Sequence, residues 1–143
     1  MTAKKIIHDP LFLSQPAAKA TKNDLQVAQD LLDTLMVHRE SKDGLPAAAG
    51  LAANMIGEKK AIIALFAGFL PMVMLNPRIV KKSGAYLTQE GCLSLEGERS
   101  VQRYKEIEVG YQDLGMQAHQ QTFTDFTAEI IQHEVDHCLG KLI

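Results

Sequence analysis

His133-Glu134-Val135-Asp136-His137, near the end of the sequence, restricts what this chain can build more than any other segment. Two histidines at i and i+4 sit about one turn apart on one face of a helix. Both imidazoles can then reach one divalent ion, with the Glu beside them as a proton carrier. With His133 at 0° on a helical wheel, His137 falls near about 40° and Ile130 near about 60°. Ala128, Ile131, Val135 and Cys138 fall between about 140° and 220°. The apolar stripe is therefore opposite the histidines. Two plainer readings stay open here, a satisfied core pair or a solvated polar face. The solvated face suits the stripe better.

A catalytic site of this kind needs a third protein ligand and an open position for water. Only Cys138, Leu139, Gly140, Lys141, Leu142 and Ile143 follow His137. None is His, Asp or Glu, so the ligand comes from upstream unless Cys138 serves. Cys138 belongs to the apolar stripe and reads as core. That leaves Cys92, in Glu90-Gly91-Cys92-Leu93-Ser94, where a neighbouring glycine leaves room for an accessible thiolate. A lone Cys is otherwise a small buried hydrophobe. Binding in a His₂Cys site would deprotonate it.

The remaining composition narrows the class. The length of 143 residues suits a single domain over 1–143. Apolar residues at 46% and charged residues at 22% place the chain among soluble globular proteins rather than disordered ones. Fifteen basic against 17 acidic residues leave a net charge of −2. No global basic field exists to hold nucleic acid or an anionic membrane. The longest uncharged run, Ala61 to Leu75, is interrupted by Gly68 and Pro71 and falls short of the ~20 residues of a membrane helix. Lys4 and Lys5 are followed by no apolar signal region, so a cytoplasmic location is expected. Two cysteines are too few for a disulfide scaffold.

Residues 1–20 read as irregular, with Pro10 and Pro16 as breakers. Thr21 and Asp24 form a capping-box-like pair. Leu25, Ala28, Leu31, Leu32, Leu35 and Met36 then recur at helical spacing to about Arg39. Residues 41–50 read as a loop. Residues 61–66 and 69–75 read as strands joined at Ala67-Gly68, with Asn76-Pro77 ending the second. Alternation of Ile107, Val109 and Tyr111 with polar residues marks a half-buried strand over 105–112. Asp113-Leu114-Gly115 turns it, and 117–124 returns. The last helix runs from about Asp125 to Leu139. This order and these types point to an α+β class.

Glu90-Gly91-Cys92-Leu93-Ser94, followed some forty residues later by His133-Glu134-Val135-Asp136-His137, resembles the peptide deformylase family. Gly50-Leu51-Ala52-Ala53 with Ile56-Gly57 is similar to that family's glycine-rich motif, G-x-G-L-A-A-x-Q. Asn76-Pro77 and Ser83-Gly84 also fit, and the likeness runs in order along the whole chain. The resemblance implies an α+β fold with antiparallel sheets around a central helix carrying H-E-x-x-H. It implies removal of the formyl group from the N-terminal formyl-methionine of new polypeptides. By motif position, Cys92, His133 and His137 would ligate the metal and Glu134 would be general base and acid. The backbone N–H of Leu93 would donate to the oxyanion, and Gly50 would lie along the substrate backbone. The native metal implied is Fe(II), with Zn, Ni or Co as replacements; thiolate plus imidazole suits all of these.

The sequence departs from the pattern at two places in the glycine-rich motif. Ala48 replaces its first glycine. Met55 replaces its closing glutamine, whose amide donates to the oxyanion in the family, and a thioether cannot donate. Asn54 is a candidate substitute donor, and Met55 could instead line an altered pocket. Arg99, in the polar segment between Leu95 and Arg103, either borders the substrate channel or is a solvated surface arginine. Many bacterial members continue past Gly140-Lys141-Leu142 into a helix associated with ribosome docking. That helix is absent here, so the ribosome stays open as a partner beside formyl-methionyl peptide ends. Three functions compete: a metal-dependent deformylase, weak or altered; an impaired paralogue that keeps metal and binds a peptide or protein partner; and an H-E-x-x-H metalloprotease. The retained Glu134 argues against the second, and the unexplained Cys92 motif against the third.

Overall fold

The computed structural model describes residues 3–40, 47–92, 94 and 97–141. A short helix α1 (Pro10–Leu13) interrupts the irregular N-terminal segment, started by Asp9, whose side chain accepts from the Leu11 N–H. Helix α2 (Leu25–Val37) follows a single 3₁₀ turn at Lys22–Asp24. The expected Thr21–Asp24 capping box is formed, with the Thr21 N–H on Asp24 Oδ2 at 2.8 Å and the Asn23 N–H on Thr21 Oγ1 at 3.2 Å. Ala28, Leu31 and Leu35 are fully buried, as the helical period requires.

Five strands form one antiparallel sheet in sequence order, β1 (Gly50–Ala52), β2 (Ile62–Ala67), β3 (Leu70–Gly91), β4 (Glu98–Gln112) and β5 (Ala118–Thr124). The β2–β3 turn is Gly68-Phe69, with Ala67 opposite Leu70, one residue later than the spacing predicts. Gly68 has φ of 66°, which fits its place in that tight turn.

The expectation that Asn76-Pro77 ends a strand is not met. β3 runs on to Gly91, for 22 residues. The register explains how it absorbs Pro77. It shifts between Leu75/Arg78 and again between Ile79/Lys81, so β3 carries an extra residue at two places. Such bulges bend a strand and leave a residue unpaired, which is where a proline is tolerated. Asn76, at φ 54°, anchors the first bulge. Its side chain accepts from the Ala20 N–H at 2.8 Å and donates to the Ala20 carbonyl at 2.9 Å and to Gln112 Oε1 at 2.8 Å. After the bulges β3 leaves β2 and pairs with β4 alone, so its far end carries Gly91 and Cys92 to the last helix.

That helix, α3 (Asp125–Cys138), is central, as the resemblance implies, and packs against all five strands. Ile130 to Val135, His137 and Cys138 are all buried. The face with the histidines is therefore as covered as the apolar stripe, which corrects the solvated-face reading. Gln132 ties the helix to the sheet: its amide accepts from the Tyr104 N–H at 2.9 Å and donates to the Tyr104 carbonyl at 2.8 Å. The helix ends in a Schellman motif, with the Gly140 N–H on His137 O and the Lys141 N–H on Asp136 O, each at 3.0 Å. Gly140 has φ of 79°, and a Cβ there would stand 2.6 Å from the Ser14 carbonyl oxygen, so only glycine fits.

Asn76→Ala removes three hydrogen bonds and places a Cβ-bearing residue without a polar tip at positive φ. A loss of about 2–4 kcal/mol is expected. Urea unfolding should show a lower midpoint at unchanged slope, with Asn76→Asp intermediate because it keeps the acceptor.

Candidate metal centre

Two elements deliver the chemistry to one point. α3 presents His133, Glu134 and His137, and the end of β3 presents Cys92. His137 Nε2 lies 3.2 Å from Cys92 Sγ and 3.3 Å from His133 Nε2. One ligand atom from each residue can be chosen so that all lie within 4.8 Å of one another. Ligand atoms held tetrahedrally about 2.0–2.3 Å from one ion stand about 3.3–3.6 Å apart. The donor set and its spacing thus fit a small divalent metal. Cys92 is half-buried, and its sulfur accepts from the Ser94 N–H at 3.4 Å. Cys138 is buried in the core as expected, and burial pushes its thiol up to about 12. It stays a thiol and takes no part.

A buried charge network orients the histidines. His133 Nδ1 meets Glu90 Oε1 at 2.8 Å, which leaves Nε2 free to face His137 and Cys92. Arg103, from β4, grips the same carboxylate in two places, with Nε on Oε2 at 2.9 Å and Nη2 on Oε1 at 2.7 Å. Its Nη1 reaches Asp136 Oδ2 at 2.6 Å, tying β3, β4 and α3 together. Burial alone would raise Glu90, but the hydrogen bonds from His133 and Arg103 outweigh it and hold the carboxyl at about 2. Burial opposes charge on His133, yet its bonds to Cys92 and Glu90 push it up to about 10. Burial and the His133 charge drive His137 down to about 3. Asn54 fixes the far end of the helix, its amide donating to the His137 carbonyl at 3.0 Å.

Glu134 is 4% exposed, and burial pushes its carboxyl up to about 7, near the working range of a general base. Its Oε1 has no hydrogen-bond partner among the described residues. Gly50 lies over it: a Cβ there would stand 2.7 Å from Ile130 Cγ2 and 3.1 Å from Glu134 Oε2. Glycine lets β1 approach the helix this closely.

The other residues singled out from the sequence fall as follows. Met55 is buried in the 3₁₀ turn Ala53–Ile56, and its sulfur accepts from the Ala52 N–H at 3.3 Å. It closes onto its own turn rather than onto open space. Arg99 is half-buried on β4, directly opposite Glu90 in the strand register, and its Nη1 is enclosed without a partner among the described residues. Leu93 lies outside the described residues. The roles of Glu90, Arg103, Asp136 and Gln132 were not foreseen. One signal for Glu90 was available: it sits two residues before Cys92, so strand alternation puts both on one face.

A cysteine sulfur, two converging imidazoles and a buried glutamate with one unpartnered oxygen among the described residues place the protein in the class of mononuclear H-E-x-x-H metallohydrolases. The family model described as polypeptide deformylase matches residues 4–143. A peptide deformylase of Clostridium beijerinckii is 49% identical over 140 residues, covering 98% of each chain. Peptide deformylase 3 of Shewanella oneidensis is 36% identical over 126 residues, covering 83% of this chain and 74% of its own. Among solved structures, a class I type b peptide deformylase from Acinetobacter baumannii superposes with a TM-score of 0.86 at 28% identity, over 99% of this chain and 97% of its own. The Thermotoga maritima peptide deformylase gives 0.81 at 27%, over 99% and 94%. The chain belongs to the polypeptide deformylase family and is an enzyme of that metal-dependent kind.

Arg103→Leu leaves Glu90 and Asp136 without their shared cation. It should cost about 3–5 kcal/mol in denaturant unfolding, and Arg103→Lys should recover only part, because an ammonium cannot reproduce the two-point grip. Glu90→Ala should weaken metal affinity by about 10–100-fold in a chelator competition.

Proposed function

We propose that this enzyme hydrolyses the formamide of N-formyl-methionyl peptide ends, with Cys92, His133 and His137 holding one divalent metal and Glu134 carrying the proton. The observation that carries the reading is the convergence of those three donors beside a buried carboxyl group whose Oε1 has no partner among the described residues. A metal bound there supplies Lewis acidity and brings the pKa of a bound water toward about 7. Fe(II) is the proposed native ion, with Zn, Ni or Co able to replace it.

The chain's own residues divide the remaining work. β1 is the edge strand of the sheet. The Phe66 N–H donates to the Ala49 carbonyl at 3.0 Å. Antiparallel pairing alternates, so Leu51 bonds next to β2, and the N–H and C=O of Gly50 face the open edge. A peptide laid there pairs with Gly50 and lies over Glu134. Glu134 accepts a proton from the attacking water and returns it to the leaving amine. The Leu93 backbone N–H is assigned to the oxyanion by motif position, and Arg99 to the channel wall opposite Glu90. A Met-Ala-Ser-bound A. baumannii peptide deformylase, 26% identical with a TM-score of 0.86, supports a short peptide as the occupant.

Met55 is the weak point. It cannot donate to an oxyanion, and Asn54 has one amide hydrogen committed to His137. The rate should therefore be limited by a missing donor, a deficit of about 10²–10³ where measured elsewhere. No helix among the described residues is long and apolar enough to cross a membrane. The cytoplasm, where formyl-methionyl chains are made, is the proposed setting.

Formate release from formyl-Met-Ala-Ser, with anaerobically Fe(II)- or Ni(II)-loaded protein, is the test. Release is expected, lost on chelation and reduced at least about 10²-fold in Glu134→Ala. Met55→Gln should raise it, by up to about 10²-fold. No release from loaded wild type would overturn the reading. Retained metal and peptide binding in that case would favour the impaired, partner-binding alternative.

A further inference from the structure

Cys92 lies just beyond the β3–β4 ladder, which closes at Gly91 opposite Glu98. The candidate sulfur ligand therefore stands on backbone that no strand pairing fixes. Ser94, two residues on, does part of that work, with its N–H on Cys92 Sγ at 3.4 Å. Ser94 is buried yet lies in no helix or strand. Its carbonyl meets His8 Nδ1 at 3.0 Å, on a segment 86 residues earlier in the chain. A carbonyl oxygen only accepts, so Nδ1 carries the hydrogen.

The segment that carries His8 is anchored independently of Ser94. The Lys4 N–H donates to Thr34 Oγ1 of α2 at 2.9 Å. The Ile7 N–H donates to the Met55 carbonyl at 2.7 Å, in the 3₁₀ turn after β1. Asp9 then caps α1. Residues 7 and 8 thereby join the turn after β1 to the backbone after β3. The His8 ring is exposed, so changing it leaves no hole in the core.

We propose that His8 is a positioning residue for the sulfur ligand: by holding the Ser94 carbonyl, it keeps the Ser94 N–H on Cys92 Sγ. The inference rests on the assignment of Cys92 to the metal made above. The N–H and C=O of Ser94 flank one Cα, so fixing the second limits where the first points. A hydrogen bond to a metal-bound sulfur takes up part of its negative charge and tunes its donor strength. Holding Ser94 in place beforehand also lowers the ordering cost when a metal binds.

Wild type, His8→Ala, His8→Asn and Asp9→Ala would be loaded anaerobically with Co(II) and compared by absorption and by chelator competition. The Asn amide offers an N–H in place of the imidazole Nδ1–H. Asp9→Ala disturbs the same segment without touching Ser94. Wild type should show sulfur-to-cobalt charge transfer in the near ultraviolet. In His8→Ala that band should move to longer wavelength, because losing the N–H donor raises the energy of the sulfur electrons. Its Co(II) affinity should fall about tenfold, the low end for outer partners of metal ligands. His8→Asn should restore both readings, and Asp9→Ala should match wild type. An unchanged band and affinity in His8→Ala would overturn the inference and leave the ligand assignment standing. Weaker affinity with an unmoved band, no rescue by His8→Asn, or an equal change in Asp9→Ala would overturn it too, since each marks a merely loosened segment. A wild type without the charge-transfer band would remove Cys92 from the metal, and the inference with it.

Discussion

Arg103 reaches from β4 to a carboxylate on β3 and another on α3, and the geometry of the site hangs on that tie. A buried guanidinium is costly to desolvate, and so are the buried Glu90 and half-buried Asp136 that it meets. The three are tolerable only together, with the donors of Arg103 spent on both acids. The same Glu90 oxygen then accepts from His133 Nδ1, which decides where the second imidazole nitrogen points. One ion network thereby joins three elements and orients the ring of His133, the proposed ligand.

The second constraint is closeness. β1 lies against α3 at Gly50, where no side chain could be fitted above Ile130 and Glu134. This contact buries the Glu134 carboxylate and raises its proton affinity toward neutrality. It also leaves the open edge of the sheet directly over Glu134. Burial and proton affinity both follow from one missing Cβ. Such an arrangement is stable because Gln132, Asn54 and the Gly140 terminus pin the helix on the sheet at separate points.

Much of the fold was legible in local pattern. The capping box and apolar period of α2, the β2–β3 hairpin, the β4–β5 return and the span of α3 all reflect short-range chemistry. The continuation of β3 past Asn76-Pro77 was not, because Asn-Pro is locally a terminator. What keeps the strand going is a pair of bulges and side-chain bonds to Ala20 and Gln112, contacts 56 and 36 residues away. The solvated-face alternative for α3 failed for a similar reason. Amphipathic spacing separates polar from apolar, but it cannot say whether a second buried network waits on the polar side.

The sequence by itself determined the candidate ligand types, their helical spacing, the family and the departure at Met55. These are properties of identity and order, and they need no coordinates. Only the tertiary structure decided that Cys92 meets His137 across 45 residues, that Arg103 and Glu90 orient His133, and that Met55 turns back on Ala52. Desolvation and charge pairing depend on what surrounds a group in space, and for these side chains that surrounding comes from strands far away in the chain.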